Sequence, residues 1–418
     1  MTRPLLPALA LALAVTLAQA AEPPGASVDS LLAAAREGSP DLRMSRLEAE
    51  AAAERIGPAG ALPDPILRLE LENITRNGSQ SPTLSPSRAG DTKYTLMQPL
   101  PFWGKRDLKR EVAAAEADAA RGKTGDAWAE LAGRLKALYA DYWLSSHSLD
   151  LLRQNIDLAG RLEQIAQVRY AGGLAPQQDA IRAQVEKSSL EAEFVAMESE
   201  RHHQMVFLNA MLARPANAPL ADPVALRPLP PAAKLDPAAL AERLQANNPQ
   251  LAIEGARLTA AEKGRELAYR NRYPDFTVGV VPMQVQSRVD SWSLMLEMNI
   301  PLQQGTRRAQ EREAERMLEA AQARKEALGH RLLGDVAAAL SNLDAARATE
   351  RITATRLLPQ AELTFKAALA GYETGKVDFA TLLDAQKQIR SARLSLFRAQ
   401  AAQQARLAEI ERLLGEDL

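Results

Sequence analysis

Residue types able to do covalent or acid–base chemistry are sparse in this 418-residue chain, which has four histidines and no cysteine. His202 and His203 stand side by side, but helical neighbours point about 100° apart and cannot chelate one ion together. His147 and His330 are isolated. The lack of cysteine removes thiolate metal sites, thiol nucleophiles, disulfides and an N-terminal lipid on cysteine. No glycine-rich loop with a suitably spaced lysine follows a strand, and no Ser/His/Asp set can be assembled. The expectation is a protein that is not an enzyme, with no cofactor and no specific metal site. What remains is a signal of patterning, in which polar side chains alternate with apolar ones.

That alternation occurs in four segments. Leu67, Leu69 and Leu71 oppose Arg68, Glu70 and Glu72 in a strand at about 66–74. A weaker case at about 91–99 sets Tyr94 and Leu96 against Lys93 and Thr95. The segment at about 276–285 is apolar on both faces and contains Gly279 and Pro282. At about 291–300, Trp292, Leu294, Leu296, Met298 and Ile300 face away from Ser291, Ser293, Glu297 and Asn299. Strands of about ten residues, apolar outside and polar inside, mark an outer-membrane barrel. Four strands cannot close a barrel, and lipid does not tolerate an open edge. Two chains would supply eight strands, three chains twelve; three leave room for a pore.

Helices must carry the rest. From Lys105 to about Ala171 no proline intervenes, predicting a helix ~100 Å long at ~1.5 Å per residue. Its counterpart runs from about Thr306 to Leu369, with a seam through Ala314, Met317, Ala321, Leu328, Leu332, Ala339, Leu343 and Ala346 and a kink at Pro359. Both reverse at glycine turns, Gly172-Gly173 and Gly375. Return helices follow at about Gln177 to Ala213 and Asp378 to Leu414, giving hairpins at about 105–213 and 306–414. Shorter helices open each half, Val28 to Arg55 and Asp236 to Arg272.

The two halves repeat. Pro40 and Pro249 lie 209 residues apart, as do Pro65 and Pro274; Tyr170 and Tyr372 lie 202 apart. A fixed internal period defines the architecture before any local reading. The expected organisation is a signal peptide over 1–20, a first repeat over 21–213, a proline-rich linker over 214–235 and a second repeat over 236–418. Arg3, the apolar stretch Leu5 to Ala18 and the Ala18-Gln19-Ala20 site make the leader. Basic and acidic residues number 51 and 52, so no net field favours nucleic acid.

Gln98-Pro99-Leu100-Pro101-Phe102-Trp103-Gly104-Lys105-Arg106, its counterpart Asn299-Ile300-Pro301-Leu302-Gln303-Gln304-Gly305, and Gly371-Tyr372-Glu373-Thr374-Gly375 through Leu382-Leu383-Asp384-Ala385-Gln386 resemble the TolC-like outer membrane efflux proteins. The wording around Trp103 looks most like the CzcC/CusC heavy-metal branch. The resemblance covers essentially all of the mature chain. It implies a mainly α fold with a small membrane β part, built as a homotrimer: a shared 12-stranded barrel and a periplasmic α-helical tunnel.

It also implies a periplasmic adaptor (membrane fusion protein) and an inner membrane RND-type pump as partners, outer membrane lipid around the barrel, and a passive exit duct, with heavy-metal cations as cargo. The family also serves multidrug efflux and type I secretion; a soluble periplasmic coiled-coil scaffold or adaptor is the alternative of another class. Asp384 falls where relatives carry an acidic residue at the gate, and three copies would make a carboxylate ring; the second acidic position of some relatives is Thr381 here. The tips at Tyr170, Gly173, Tyr372 and Gly375 become adaptor-docking candidates. Pro101, Gly104, Pro301 and Gly305 mark the strand–helix junctions.

Overall fold

The computed structural model describes residues 23–74, 84–87, 89–285 and 287–418. The leader over 1–20 and most of the loop from Thr75 to Asp91 lie outside the described residues.

Two capped helices open the chain, α1 (Val28–Gly38) and α2 (Pro40–Glu54). The single helix expected from Val28 to Arg55 is broken at Ser39, whose ψ of 119° is extended. Proline disfavours the helical conformation in the residue before it, and the Ser39 hydroxyl accepts from Leu42 N to start the second helix. A one-turn α3 (Ile56–Ala59) follows. The second half breaks at the corresponding place: Asn248 accepts from Leu251 N at 2.8 Å and separates α6 (Pro237–Asn247) from α7 (Pro249–Arg270).

Strands β1 (Ile66–Glu72), β2 (Asp91–Leu100), β3 (Phe276–Val285) and β4 (Arg288–Met298) form one antiparallel sheet in sequence order. Directly paired residues share a face. Leu67 pairs with Leu96, Leu96 with Val280, and Val280 with Leu294, so one row of apolar side chains crosses all four strands. Leu69, Val278, Trp292 and Leu296 extend it and are exposed in the single chain. The other face carries Arg68, Glu70, Glu72, Lys93, Thr95, Ser293 and Glu297. The β2–β3 ladder passes from Lys93–Met283 to Leu96–Val280; the gap falls on Val281 and Pro282, where proline has no N–H to donate.

From the sheet run α4 (Lys105–Ala171), 67 residues or ~100 Å, and its return α5 (Gln177–Met211). In the second half α8 (Gln304–Ile352) passes through a π-helical turn, Thr353–Leu357, into α9 (Leu358–Glu373), and α10 (Phe379–Leu414) returns. That π-turn ends just before Pro359, where a kink is expected and the ladder loses a donor. Along the α8 seam Ala321, Leu332, Ala339 and Leu343 are buried. Met317 is not: it is 59% exposed, and the neighbouring Leu318 takes the inward position.

Small clusters of buried side chains are strung along the helices. One at the far tips joins Leu162, Ala166, Tyr372, Phe379 and Leu382; another joins Leu244, Leu332, Leu343 and Ile410. Alanine fills many inward positions, which lets helix axes approach closely. Among the described residues no helix is long and apolar enough to cross a membrane.

Candidate functional site

The two hairpin tips are built alike. At the first, Leu174 N donates to Arg169 O (2.8 Å) and Gly173 N to Tyr170 O (2.9 Å). At the second, Lys376 N donates to Gly371 O (2.8 Å) and Gly375 N to Tyr372 O (3.1 Å). Both are Schellman closures, with Gly173 and Gly375 at φ +68° and +72°, where a side chain would be strained. The tips then diverge. Tyr170 is 47% exposed, whereas Tyr372 is buried at 3% and packs on Phe379, ring centroids 5.2 Å apart. Tyr372 therefore lies beneath the tip surface, and Tyr170 lies on it.

Arg169 joins the two turns. Its Nη1 donates to Tyr372 O (2.9 Å) and Glu373 O (3.1 Å), two carbonyls at the end of α9, and its guanidinium stands 4.8 Å from the Tyr372 ring centroid. Burial pushes the Tyr372 phenol above its ordinary range, Asp179 adds to that, and Arg169 opposes it. Asp179 is itself raised by burial, with Arg182 pulling the other way. Sequence reasoning gives Arg169 no role. The available signal is a break in the repeat: the residue corresponding to Arg169 is Gly371, 202 positions on.

Asp384 lies on the exposed face of α10, between buried Leu383 and Ala385. Lys387, one turn along, pairs with Glu186 of α5 at 3.0 Å, so the i+3 ion pair that would occupy Asp384 is not formed. Thr381 is committed elsewhere: its N donates to Asp378 Oδ1 at 2.9 Å, as does its hydroxyl, starting α10. Those bonds hold the Asp378 carboxyl below its usual range. Beneath this face Gln386 Nε2 donates to Asn155 Oδ1 at 2.8 Å, a buried link between the hairpins.

At the opposite end the two strand–helix junctions differ. Gly104 caps α4 at φ +81°. Phe102 N and Lys105 Nζ both donate to Asp275 Oδ1, each at 2.8 Å, and Lys105 Nζ also reaches Tyr273 O. Phe102 stacks on Tyr273 with centroids 4.5 Å apart. Pro101 lies between β2 and α4. In the second half Pro301 O accepts from Gln304 Nε2 (2.7 Å). Gly305 lies inside the first turn of α8, with open space around its Cα and no left-handed φ.

Residues 31–214 and 240–416 match a family described as outer membrane efflux protein. The chain is similar to the cobalt-zinc-cadmium resistance protein CzcC of Cupriavidus metallidurans, 23% identical over 396 residues, 93% of this chain and 90% of that one. Its fold is similar to that of CusC, a structure described in terms of folding and transmembrane channel formation, with a TM-score of 0.80, 19% identity and coverage of 93% and 92%. It is likewise similar to the outer membrane protein VceC from Vibrio cholerae, with a TM-score of 0.78, 18% identity and coverage of 93% and 96%.

Proposed function

The chain belongs to the outer membrane efflux protein family, and from that premise we propose that three copies assemble one passive duct that carries heavy-metal cations out through the outer membrane. The protein is an efflux channel of that membrane and not an enzyme, which replaces the alternative of a soluble scaffold. The observation that carries the assembly is the open sheet, with β1 at one end and β4 at the other. Backbone groups left unpaired in hydrocarbon cost several kcal/mol each, so β4 of one copy pairs with β1 of the next. Three copies give twelve strands, wide enough for a lumen. The apolar row through Leu67, Leu96, Val280 and Leu294 faces lipid, and the face with Arg68, Glu70 and Lys93 lines the bore. Exposed Ile181, Val185 and Val195 on α5 supply contacts between copies.

The leader over 1–20 is removed on export, and the repeats over 21–213 and 236–418 are joined by 214–235. At the periplasmic end Asp384 lines the gate. Its exposure and its lack of an ion pair with Lys387 support that role, since three unpaired carboxylates around an axis attract cations and repel one another. Thr381 contributes the cap of α10 rather than a second ring. Tyr170, Gly173 and Gly375 present the surface that docks a periplasmic adaptor, held from beneath by Tyr372; the adaptor links the duct to an inner membrane RND-type pump.

The cargo reading rests on the name of the CzcC relative. The test is growth of a deletion strain in graded zinc, cobalt and cadmium, beside dyes, bile salts and antibiotics. Selective metal sensitivity restored by the gene is expected. Sensitivity confined to organic toxicants would assign the duct to drug efflux.

A further inference from the structure

We propose that the junction between the sheet and α4 holds one anionic phospholipid of the periplasm-facing leaflet, its acyl chain in an apolar groove and its phosphate on Arg106; this rests on the membrane reading of the sheet.

The groove is a cavity of about 550 Å³ whose apolar lining includes Leu62, Phe102, Trp103 and Leu296 and whose charged lining is Arg106 and Asp107, a size typical of small-ligand sites. Its walls are rings at fixed angles. Trp103 meets Phe102 edge-on, centroids 5.3 Å apart and planes at 81°, and lies 6.0 Å from Phe276. Trp103 is nonetheless 75% exposed, so the groove has an indole wall that the chain does not cover. Gly104, in its left-handed conformation, turns the chain there from strand into helix.

Two observations select a lipid as the occupant. The first is continuity. Phe276 and Leu296 belong to the same face as Val278 and Leu294, so the groove is the periplasmic end of the lipid-facing row. It lies on the apolar face over β2, β3 and β4, not in the plane of the backbone ladder through which β4 and β1 of neighbouring copies pair. Tryptophan at this depth has the amphipathic character of a membrane-interface residue. The second is charge. Arg106 uses Nε to bond Gly60 O at 2.8 Å, and its guanidinium still has its terminal N–H groups for a phosphate. Lys109 and Arg110 are exposed one turn further on. The lining acid, Asp107, is offset by Arg110, 3.6 Å away. Basic side chains just beyond an apolar band attract anionic headgroups.

The test is native mass spectrometry of the delipidated full-length oligomer titrated with phosphatidylglycerol. Wild type is expected to take up one molecule per chain. Trp103→Ala, at an exposed position where folding is preserved, should bind about tenfold more weakly, and Arg106→Gln several-fold more weakly, with Arg106→Lys recovering part of the loss. Equal uptake by wild type, Trp103→Ala and Arg106→Gln would overturn the site while leaving the barrel intact. Release of the protein from membranes by carbonate would overturn the membrane reading itself, and the site with it.

Discussion

The guanidinium of Arg169, at the end of α4, stands over the ring of Tyr372, at the end of α9, and donates to that residue's carbonyl at 2.9 Å. One side chain thus closes the last turn of a helix in the other repeat. The carbonyls of Tyr372 and Glu373 belong to the negative end of that helix, where a cation is favoured, and the phenol beneath adds a cation–π contact. The clasp thus adds a polar tie between the tips beside their shared cluster of Leu162, Ala166, Phe379 and Leu382.

Replacing Arg169 by alanine removes a charged hydrogen-bond donor, worth about 1.5–3 kcal/mol, and leaves Tyr372 only its apolar neighbours. The expected outcome is faster amide exchange over 372–378, with the strands unchanged. Exchange as slow as in the wild type would mean that the glycine turns hold the tips unaided.

Asp384→Ala removes the carboxylate ring while leaving the cap of α10, which Asp378 and Thr381 make between them. Planar-bilayer conductance should rise and cation preference should fall. Lys387 keeps its bond to Glu186, so the packing of α10 on α5 is not the source of any change. Conductance and selectivity identical to wild type would remove Asp384 from the gate.

Much of the fold is legible in the residues. Gly104 and the Gly172-Gly173 pair punctuate α4, and between them no proline interrupts the helical pattern, so its limits follow from sequence. The breaks at Ser39 and Asn248 carry a visible mark, a following proline, yet the apolar spacing continues across both and hides them. Met317 and Leu318 are adjacent apolar residues, and periodicity alone does not say which turns inward. The tips are legible as turns but not as a site. Tyr372 reads as a surface aromatic beside a glycine, and it is buried only because Phe379, Leu162 and Ala166 of other helices close around it. The Arg169 clasp joins residues about 200 positions apart, where a local pattern has no reach.

The two faces of β4 give a paired test. Leu294 is 88% exposed and belongs to the row that crosses the sheet, while its neighbour Ser293 points to the other side. Arginine at a lipid-facing midplane position costs about 2–4 kcal/mol. Leu294→Arg should lower the amount of folded, heat-modifiable oligomer in membranes and shift its urea midpoint down, and Ser293→Arg should change neither. Equal damage from both, or from neither, would contradict the assignment of faces.

At the middle of the molecule Lys136, 3% exposed, bonds Glu411 at 2.7 Å and also Asp417, tying the C-terminal tail to α4. Arg227 reaches the same Glu411 at 2.9 Å, and Leu418 N donates to it at 3.1 Å. Burial alone would raise the Asp417 carboxyl, but the hydrogen bond from Lys136 and the charges of Lys136, Arg227 and Arg36 bring it below the ordinary value. A carboxyl depressed on folding contributes stability above its unfolded pKa, about 3.9, and loses it as pH falls through the lower folded value. The Asp417 contribution should therefore be constant from pH 8 to 5 and fade only below about pH 4. Lys136→Met breaks a buried pair, which typically costs ~3–5 kcal/mol, and here should fall at the low end because Arg227 still neutralises Glu411. Thermal unfolding at pH 7, 5 and 3.5 is expected to show a lower midpoint for the variant at pH 7 and 5 and a narrower gap at 3.5. A gap equally wide at all three would assign the loss to the buried Lys136–Glu411 pair and leave the Asp417 contact no part in it.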